Sequence, residues 1–148
     1  YFIREDKRLP FYKCLRYGAP RIAVRTKSIK TANISFSLMF GGGAKYSAGE
    51  DSLFIADCIK KGLKIYGSSK MIGTICHNES TWFHGYTEKY FKDKGVLFYC
   101  LSRRWARLLC FQDAFRHKNL YKKDRPWIDA YRLMCEGINS FTSVAGSS

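Results

Sequence analysis

Three features between residues 41 and 77 contain residue types that take part in catalysis. They are a triple-glycine run (Gly41, Gly42 and Gly43), an acidic pair (Glu50 and Asp51) and a histidine, His77. Successive glycines allow a close approach of the backbone to a ligand, a carboxylate can act as a general base, and an imidazole can bind a metal ion or carry a proton. Each feature alone is more simply a turn, a helix cap or a surface residue. Their order and spacing together favour a catalytic site.

The hydrophobic pattern around these residues predicts short strands and one helix. Apolar runs favour strands over residues 21–24, 34–40, 64–66 and 71–75. Asp51 or Ser52 can cap a helix that runs to about Lys61, and Gly62 is suited to end it. The acidic pair is therefore expected at a helix N-terminus, with His77 just beyond the last strand.

Helices are predicted for the second half of the chain. The pattern is helical from Tyr86 to about Lys118 with a break at Gly95, and a further helix is expected from Trp127 to Met134.

Residues 96–111 contain no Gly or Pro and mix large apolar groups with arginines, which predicts a helix with one buried and one basic face. Such a helix can lie on anionic lipid with Trp105 at the interface, or it can be a core helix with a solvated basic side. Its arginines can also contact a lipid-phosphate acceptor.

The composition is that of a folded, strongly basic chain. Its 148 residues are 46% hydrophobic, and 26 Lys and Arg against 12 Asp and Glu give a net charge of +14. This hydrophobic content excludes a disordered polycation, and the sequence shows neither an apolar run long enough to span a membrane nor the layout of a signal peptide. Basic residues are concentrated in residues 1–30 and 103–125. Nucleic acid, an anionic membrane surface or a phosphorylated substrate can each account for this charge.

The six cysteines are scattered without any C-x-x-C pair, at Cys14, Cys58, Cys76, Cys100, Cys110 and Cys135. A zinc site or a disulfide framework needs closer spacing. Most of them have apolar neighbours, which predicts buried, reduced thiols.

One segment resembles a known enzyme family. Residues 40–66 read Phe-Gly-Gly-Gly-Ala-Lys-Tyr-Ser-Ala-Gly-Glu-Asp-Ser-Leu-Phe-Ile-Ala-Asp-Cys-Ile-Lys-Lys-Gly-Leu-Lys-Ile-Tyr, and Ile72-Gly73-Thr74-Ile75-Cys76-His77 and Ser80-Thr81-Trp82-Phe83 follow. This arrangement is similar to the C-terminal half of bacterial family 2 glycosyltransferases of the GT-A fold. The resemblance covers residues from about 20 to 100, and the Gly-Glu-Asp-x-x-Phe core is its most specific part.

The resemblance implies a fold and a reaction. The fold is α/β, a partial GT-A (Rossmann-like) domain followed by a helical C-terminal region. In such enzymes an Asp-x-Asp motif holds a nucleotide-sugar with a divalent metal ion, Mn²⁺ or Mg²⁺, and an acceptor hydroxyl attacks the anomeric carbon with inversion. This chemistry needs a positioned carboxylate, because an alcohol is a poor nucleophile at neutral pH.

The resemblance also assigns roles by position. Asp51 is similar to the general base and Glu50 to the neighbouring acid that places the acceptor, while Gly41, Gly42 and Gly43 would border donor and acceptor. His77 resembles the histidine that joins the metal ion or the diphosphate.

Two further residues near the implied site have alternative interpretations. Trp82 can stack on an acceptor sugar, although an aromatic cluster with Phe83 and Tyr86 is also typical of a core. His84 is an alternative to His77 as the metal-facing histidine.

The chain departs from the family pattern in one respect, since no Asp-x-Asp occurs in its 148 residues. The nucleotide-binding half is therefore expected to lie outside this chain, which alone should bind the donor weakly. The expected organisation is an acceptor-side part of a GT-A domain in residues 1–95, a basic helical extension in residues 96–142 and a disordered end in residues 143–148.

The sequence thus predicts an inverting glycosyltransferase of cell-envelope polysaccharide or glycolipid synthesis. Its partners would be a UDP-sugar donor, a glycan or lipid-linked acceptor and an anionic membrane surface, with a location on the cytoplasmic face of the plasma membrane. The alternative is a nucleic-acid-binding or membrane-surface module without catalytic activity. Nucleic acid is not expected, because the charge avoids the glycine run and the acidic pair and no RNA-binding signature is present.

Overall fold

The computed structural model describes residues 3–15, 17–74 and 85–145. Within these ranges the protein contains both helix and strand, and helix predominates. The helices are α1 (Phe11–Cys14), α2 (Thr26–Ala32), α3 (Glu50–Lys60), α4 (Glu88–Leu101), α5 (Ala106–Arg116), α6 (Lys118–Tyr121) and α7 (Trp127–Ala145). The strands are β1 (Lys7–Arg8) and β2 (Tyr66–Gly67), which pair antiparallel.

The chain divides into two compact units whose segments alternate along the sequence. The first contains Tyr1–Leu38 and Glu50–Ser80, and the second contains Met39–Gly49 and Thr81–Ser148. The glycine run therefore belongs with the C-terminal helices, and the acidic pair belongs with the N-terminal segment.

Helix α3 supplies most of the core of the first unit. Its buried residues are Leu53, Phe54, Ile55, Ala56 and Cys58. The ring of Phe36 stacks on Phe54 with centroids 4.2 Å apart. The helix ends where Gly62 adopts a φ of +80°, a conformation that favours glycine. The helix predicted for this segment is confirmed, starting at Glu50 and ending one residue before the expected Lys61.

Polar contacts hold one end of the small sheet, where Asp6 precedes β1 and Ser68 and Ser69 follow β2. Oδ1 of Asp6 accepts hydrogen bonds from the backbone N–H of Ser69 at 2.8 Å and from Oγ of Ser68 at 2.9 Å. The hydrogen bond from the Ser69 backbone is the main reason why the pKa of Asp6 lies below its ordinary value. Of the strand predicted over residues 64–66, Tyr66 is in β2.

The other strand predictions were wrong for the residues that the structure describes. Ala19–Arg21 forms a short 3-10 helix, and residues 22–25 and 34–37 have no regular structure. Residues 71–74 are also irregular, and Ile75 lies outside the described residues. An alternating pattern produces a strand only where a neighbouring strand accepts its hydrogen bonds. No parallel, Rossmann-like sheet is present among residues 3–15, 17–74 and 85–145.

Helices α4, α5 and α7 build the core of the second unit. Its buried members are Phe91, Ala106, Cys110, Ala114, Tyr121, Ala130, Leu133, Met134 and Ile138. Two glycines mark the crossing of α4 and α7. A Cβ at Gly95 would overlap the backbone of Met134, and one at Gly137 would overlap the backbone of Lys92. Glycine at both positions therefore lets the two helix backbones touch.

Three helix boundaries differ from the sequence predictions. Gly95 lies inside α4 and does not break it, because the packing against α7 outweighs its low helix propensity. The interruption falls at residues 102–105, so residues 96–111 are not one helix. Helix α7 continues beyond Met134 to Ala145 and includes residues 143–145, where a frayed end was predicted.

The remaining expectations concern membrane-spanning helices and the cysteines. In the part that the structure describes, no helix is long and apolar enough to cross a membrane. Among the described cysteines, Cys14, Cys58 and Cys110 are buried, and Cys100 and Cys135 are partly exposed. The predicted burial is thus confirmed for three of these cysteines and not for Cys100 and Cys135, and Cys76 lies outside the described residues.

Candidate functional site

The glycine run forms a tight loop in the second unit. The backbone N–H of Gly41 donates to the carbonyl of Tyr46 at 2.9 Å, and that of Tyr46 donates to the carbonyl of Met39 at 3.0 Å. Gly41 has a φ of +121° and Gly43 a φ of +81°, values that side-chain-bearing residues rarely adopt. Gly41 and Gly43 are therefore needed for the shape of this loop.

Two aromatic residues anchor the base of the loop, and its tip is open. Phe40 and Tyr46 are buried with ring centroids 4.8 Å apart, and Tyr46 also meets Phe141 edge-on. At the tip, Gly42 and Gly43 are exposed, and a Cβ built on either would meet no atom within 4 Å. The loop thus presents bare backbone on a fixed base, which suits contact with a ligand.

Helix α4 holds the C-terminal end of this loop. Oδ2 of Asp93 accepts hydrogen bonds from the backbone N–H and from Oγ of Ser47, at 2.9 and 2.7 Å. Lys89 donates to the same oxygen at 2.6 Å and to the carbonyl of Lys45 at 2.9 Å. Gly49 then passes so close to Leu97 that a Cβ would lie 2.6 Å from that side chain.

Sequence reasoning missed the role of Asp93. In the sequence, Lys89 and Asp93 form an ordinary helical pair four residues apart, of a kind that is usually a solvated surface feature. The available signal was the spacing of Asp93 two residues after Phe91 and three before Val96, which are both buried in the structure. An acid embedded in such a face must find a partner.

The acidic pair occupies the first turn of α3 in the first unit, as predicted. Carboxylates are favoured there because the helix N-terminus carries a partial positive charge. Among the described residues no group hydrogen-bonds to Oδ1 of Asp51, and this oxygen is buried. The other oxygen lies beside Gly18, where a Cβ would come within 3.4 Å of it.

The start of α3 is fixed to the segment that follows α1. Oγ of Ser52 donates to the carbonyl of Leu15 at 3.2 Å. Together with the burial of Leu53 and Phe54, this contact sets the orientation of the first turn. Asp51 thus lies on this oriented first turn of α3, and its Oδ1 accepts no hydrogen bond from the described residues.

Two of the predicted site residues, His77 and Trp82, lie outside the described residues, as does His84. The predicted set is otherwise divided, with Gly41, Gly42 and Gly43 in the second unit and the acidic pair in the first.

The implied Mn²⁺ or Mg²⁺ was tested against the side chains present. Over residues 3–15, 17–74 and 85–145, no group of three or more His, Cys, Asp or Glu side chains can hold a metal ion. Mg²⁺ is usually held by one or two carboxylates together with substrate phosphates, and His77 lies outside the described residues, so the implied metal ion stays a prediction.

Comparison of the chain with protein-family models, curated proteins and solved structures gave no match.

Proposed function

We propose that this chain forms the acceptor side of an inverting glycosyltransferase that uses a nucleotide-sugar, and that Asp51 is its general base. Glu50 would orient the acceptor. The acceptor would be a hydroxyl of a glycan or of a lipid-linked saccharide, and the donor a UDP-sugar. The GT-A fold class belongs to this proposal, and its basis is the resemblance of residues 40–66.

The observation that carries the proposal is that Oδ1 of Asp51 is buried and accepts no hydrogen bond from the part of the chain that the structure describes. Leaving a buried polar oxygen without a hydrogen bond costs about 1–3 kcal/mol. A carboxylate used only to complement the helix N-terminus has no need of a buried, unpaired oxygen, because it can remain in water. A hydroxyl donor would relieve this cost, and an acceptor sugar supplies one.

The proposed step balances around this oxygen. The acceptor oxygen attacks the anomeric carbon, the hydroxyl proton passes to Asp51, and the bond between the anomeric carbon and the diphosphate breaks. The nucleoside diphosphate leaves with the electron pair. Its charge needs cationic stabilisation, which lysine and arginine side chains can supply. A bound Mn²⁺ or Mg²⁺ would add to this stabilisation.

The glycine loop, taken by itself, has a shape that suits contact with a sugar. An exposed backbone without side chains at Gly42 and Gly43 allows a sugar ring to approach amide groups closely. The anchoring of this loop by buried Phe40 and Tyr46 keeps it in one conformation, so that little ordering is needed on binding.

The test is the exchange of Asp51 for asparagine. Because no Asp-x-Asp occurs in these 148 residues, the assay uses the full-length protein with a panel of UDP-sugars, and it measures release of the nucleoside diphosphate together with glycan product. Asp51→Asn should lower kcat by roughly 100-fold or more and leave the affinity for the donor unchanged.

The matched control is Asp57→Asn in the same helix. Asp57 is half-exposed and pairs with Lys60 at 3.4 Å, so this variant should keep its activity. An active Asp51→Asn enzyme would remove the general-base assignment. Absence of any sugar transfer by the unmodified protein would refute the proposed function as a whole.

A further inference from the structure

Helix α5 presents an apolar face that is not covered by the unit to which it belongs. Leu108, Phe111 and Phe115 are exposed by 56%, 44% and 51%, and their spacing of three and four residues places them on one side of the helix. The buried residues of α5 lie on another side, where Ala106, Cys110 and Ala114 line the core. The exposed aromatic side chains therefore lie outside the core to which α5 contributes.

The apolar face continues onto the start of α7. Phe111 and Phe115 both meet the ring of Trp127 edge-on, with centroids 6.0 and 5.8 Å apart. Ile128 beside it is 59% exposed. We define the α5 aromatic face by these residues and the exposed Trp105 that precedes the helix: Trp105, Leu108, Phe111, Phe115, Trp127 and Ile128.

Cations surround the α5 aromatic face. Nζ of Lys118 lies 4.8 Å from the ring centroid of Phe115, and the guanidinium of Arg104 lies 5.4 Å from that of Trp105. Further exposed cations on the same stretch are Arg103, Arg107, Arg116, Lys122 and Lys123. The surface thus combines aromatic and aliphatic groups with a surplus of positive charge.

The acid of α5 is directed into the unit and does not offset this charge at the surface. Asp113 pairs with Nζ of Lys94 at 2.9 Å, and its side chain is 10% exposed. The hydroxyl of Tyr121 donates to Asp113 at 2.8 Å. The pKa of Tyr121 is raised by its burial and by Asp113, so the hydroxyl stays protonated as a donor. The charged side chains that α5 exposes to solvent are therefore cationic.

We propose that the α5 aromatic face docks on an anionic lipid bilayer. Aromatic and aliphatic side chains ringed by Lys and Arg suit the boundary between lipid headgroups and acyl chains, where tryptophan is favoured. Self-association is disfavoured, because two copies of this face would oppose their cations. Leu108 and Ile128 have no flat ring on which a nucleotide base could stack. A nucleic-acid partner would therefore explain the exposed arginines but not these two exposed apolar residues.

The α5 aromatic face differs from the single basic helix expected over residues 96–111. In the structure this segment is interrupted at residues 102–105, and the exposed apolar side chains lie on α5 and at the start of α7. Docking of the α5 aromatic face does not depend on the proposed glycosyltransferase activity, because it uses no residue assigned to that site.

The experiment is flotation of the whole chain with lipid vesicles. Phosphatidylcholine vesicles are compared with vesicles in which about 30% of the lipid is phosphatidylglycerol. The protein should float with the anionic vesicles only, and the bound fraction should fall as salt screens the charge.

Two double variants separate the apolar and the cationic contributions. Leu108→Ser with Phe115→Ser, and Arg116→Gln with Lys118→Gln, should each lower the partition coefficient about tenfold or more. The controls are Leu38→Ser, at a residue 95% exposed in the first unit, and Lys27→Gln with Lys30→Gln on α2. Both controls should bind as the unmodified chain does, and thermal melts should show all variants folded.

Several results would overturn the proposal. These are no flotation with anionic vesicles at low salt, equal binding by the Leu108/Phe115 variant and the Leu38 control, or equal loss in the Lys27/Lys30 control and the Arg116/Lys118 variant. A dimer abolished by Leu108→Ser with Phe115→Ser, without vesicle binding, would assign the face to a second copy. Salt-dependent RNA binding lost in the cation variant, without vesicle binding, would assign it to nucleic acid.

Discussion

Asp93 holds Ser47 by two hydrogen bonds to one carboxylate oxygen, from the backbone N–H at 2.9 Å and from Oγ at 2.7 Å. These residues are 46 positions apart in the chain. Asp93 is only 7% exposed, and Lys89 pairs with the same oxygen. Helix α4 is thereby the element that fixes the end of the glycine loop.

Asp93→Ala should lower the free energy of unfolding by about 2–3 kcal/mol, because it leaves the Ser47 N–H unpaired and removes a charge-assisted hydrogen bond. Urea denaturation measures the change. Asp57→Ala, which breaks the exposed pair with Lys60, is the matched control and should cost less than about 0.5 kcal/mol. Equal effects of the two substitutions would show that Asp93 does not hold the loop.

Gly95→Ala and Gly137→Ala should each destabilise the protein, although alanine is the better helix former. Helix propensity alone would favour alanine by up to about 1 kcal/mol. The added Cβ would overlap the backbone of the opposing helix, so a net loss of about 1–3 kcal/mol is expected. Gly42→Ala, where a Cβ meets nothing within 4 Å, should leave the thermal midpoint nearly unchanged. A higher midpoint for Gly95→Ala would contradict the close crossing of α4 and α7.

Cys110 should be protected from alkylation until the protein unfolds. Burial raises the pKa of its thiol to about 12 from an ordinary value of 9.0. The contribution of this thiol to stability is thus complete below pH 9 and is lost as the pH rises from 9 toward 12, because the unfolded thiol ionises first. With iodoacetamide at about pH 8.5, the partly exposed Cys135 should react first, and Cys110 only in denaturant. Mass spectrometry of peptides reads the order, and equal native rates would contradict the burial of Cys110.

Glu50→Gln should separate positioning from proton transfer. If Glu50 orients the acceptor and Asp51 removes its proton, Glu50→Gln raises the KM for the acceptor more than it lowers kcat, whereas Asp51→Asn lowers kcat. Steady-state kinetics of the full-length protein over a range of acceptor concentrations distinguish the two patterns. A loss of kcat in Glu50→Gln as large as that in Asp51→Asn, at unchanged KM, would mean that the roles are not divided in this way.

Local pattern was sufficient where one short segment contains all of the determinants. Helix α3 ends before Gly62, as its apolar spacing and this glycine predicted, whereas it begins at Glu50, so that the predicted caps Asp51 and Ser52 lie inside its first turn. The glycine loop was predictable for the same reason, because positive φ at Gly41 and Gly43 is a local property of the backbone. The position of Asp51 in the first turn of α3 follows directly from that helix.

Tertiary structure decided the features that depend on distant partners. Alternating residues at 34–37 formed no strand, since a strand requires a hydrogen-bonded neighbour. Gly95 lies in the middle of a helix because α7 packs against it, and nothing near it in sequence shows that contact. The hydrogen bonds from Ser47 to Asp93, the unpaired oxygen of Asp51 and the exposed rings of Phe111 and Phe115 are likewise set by packing. Spacing along the chain identifies which residues can do chemistry, but their environment depends on groups that are remote in sequence and come together only on folding.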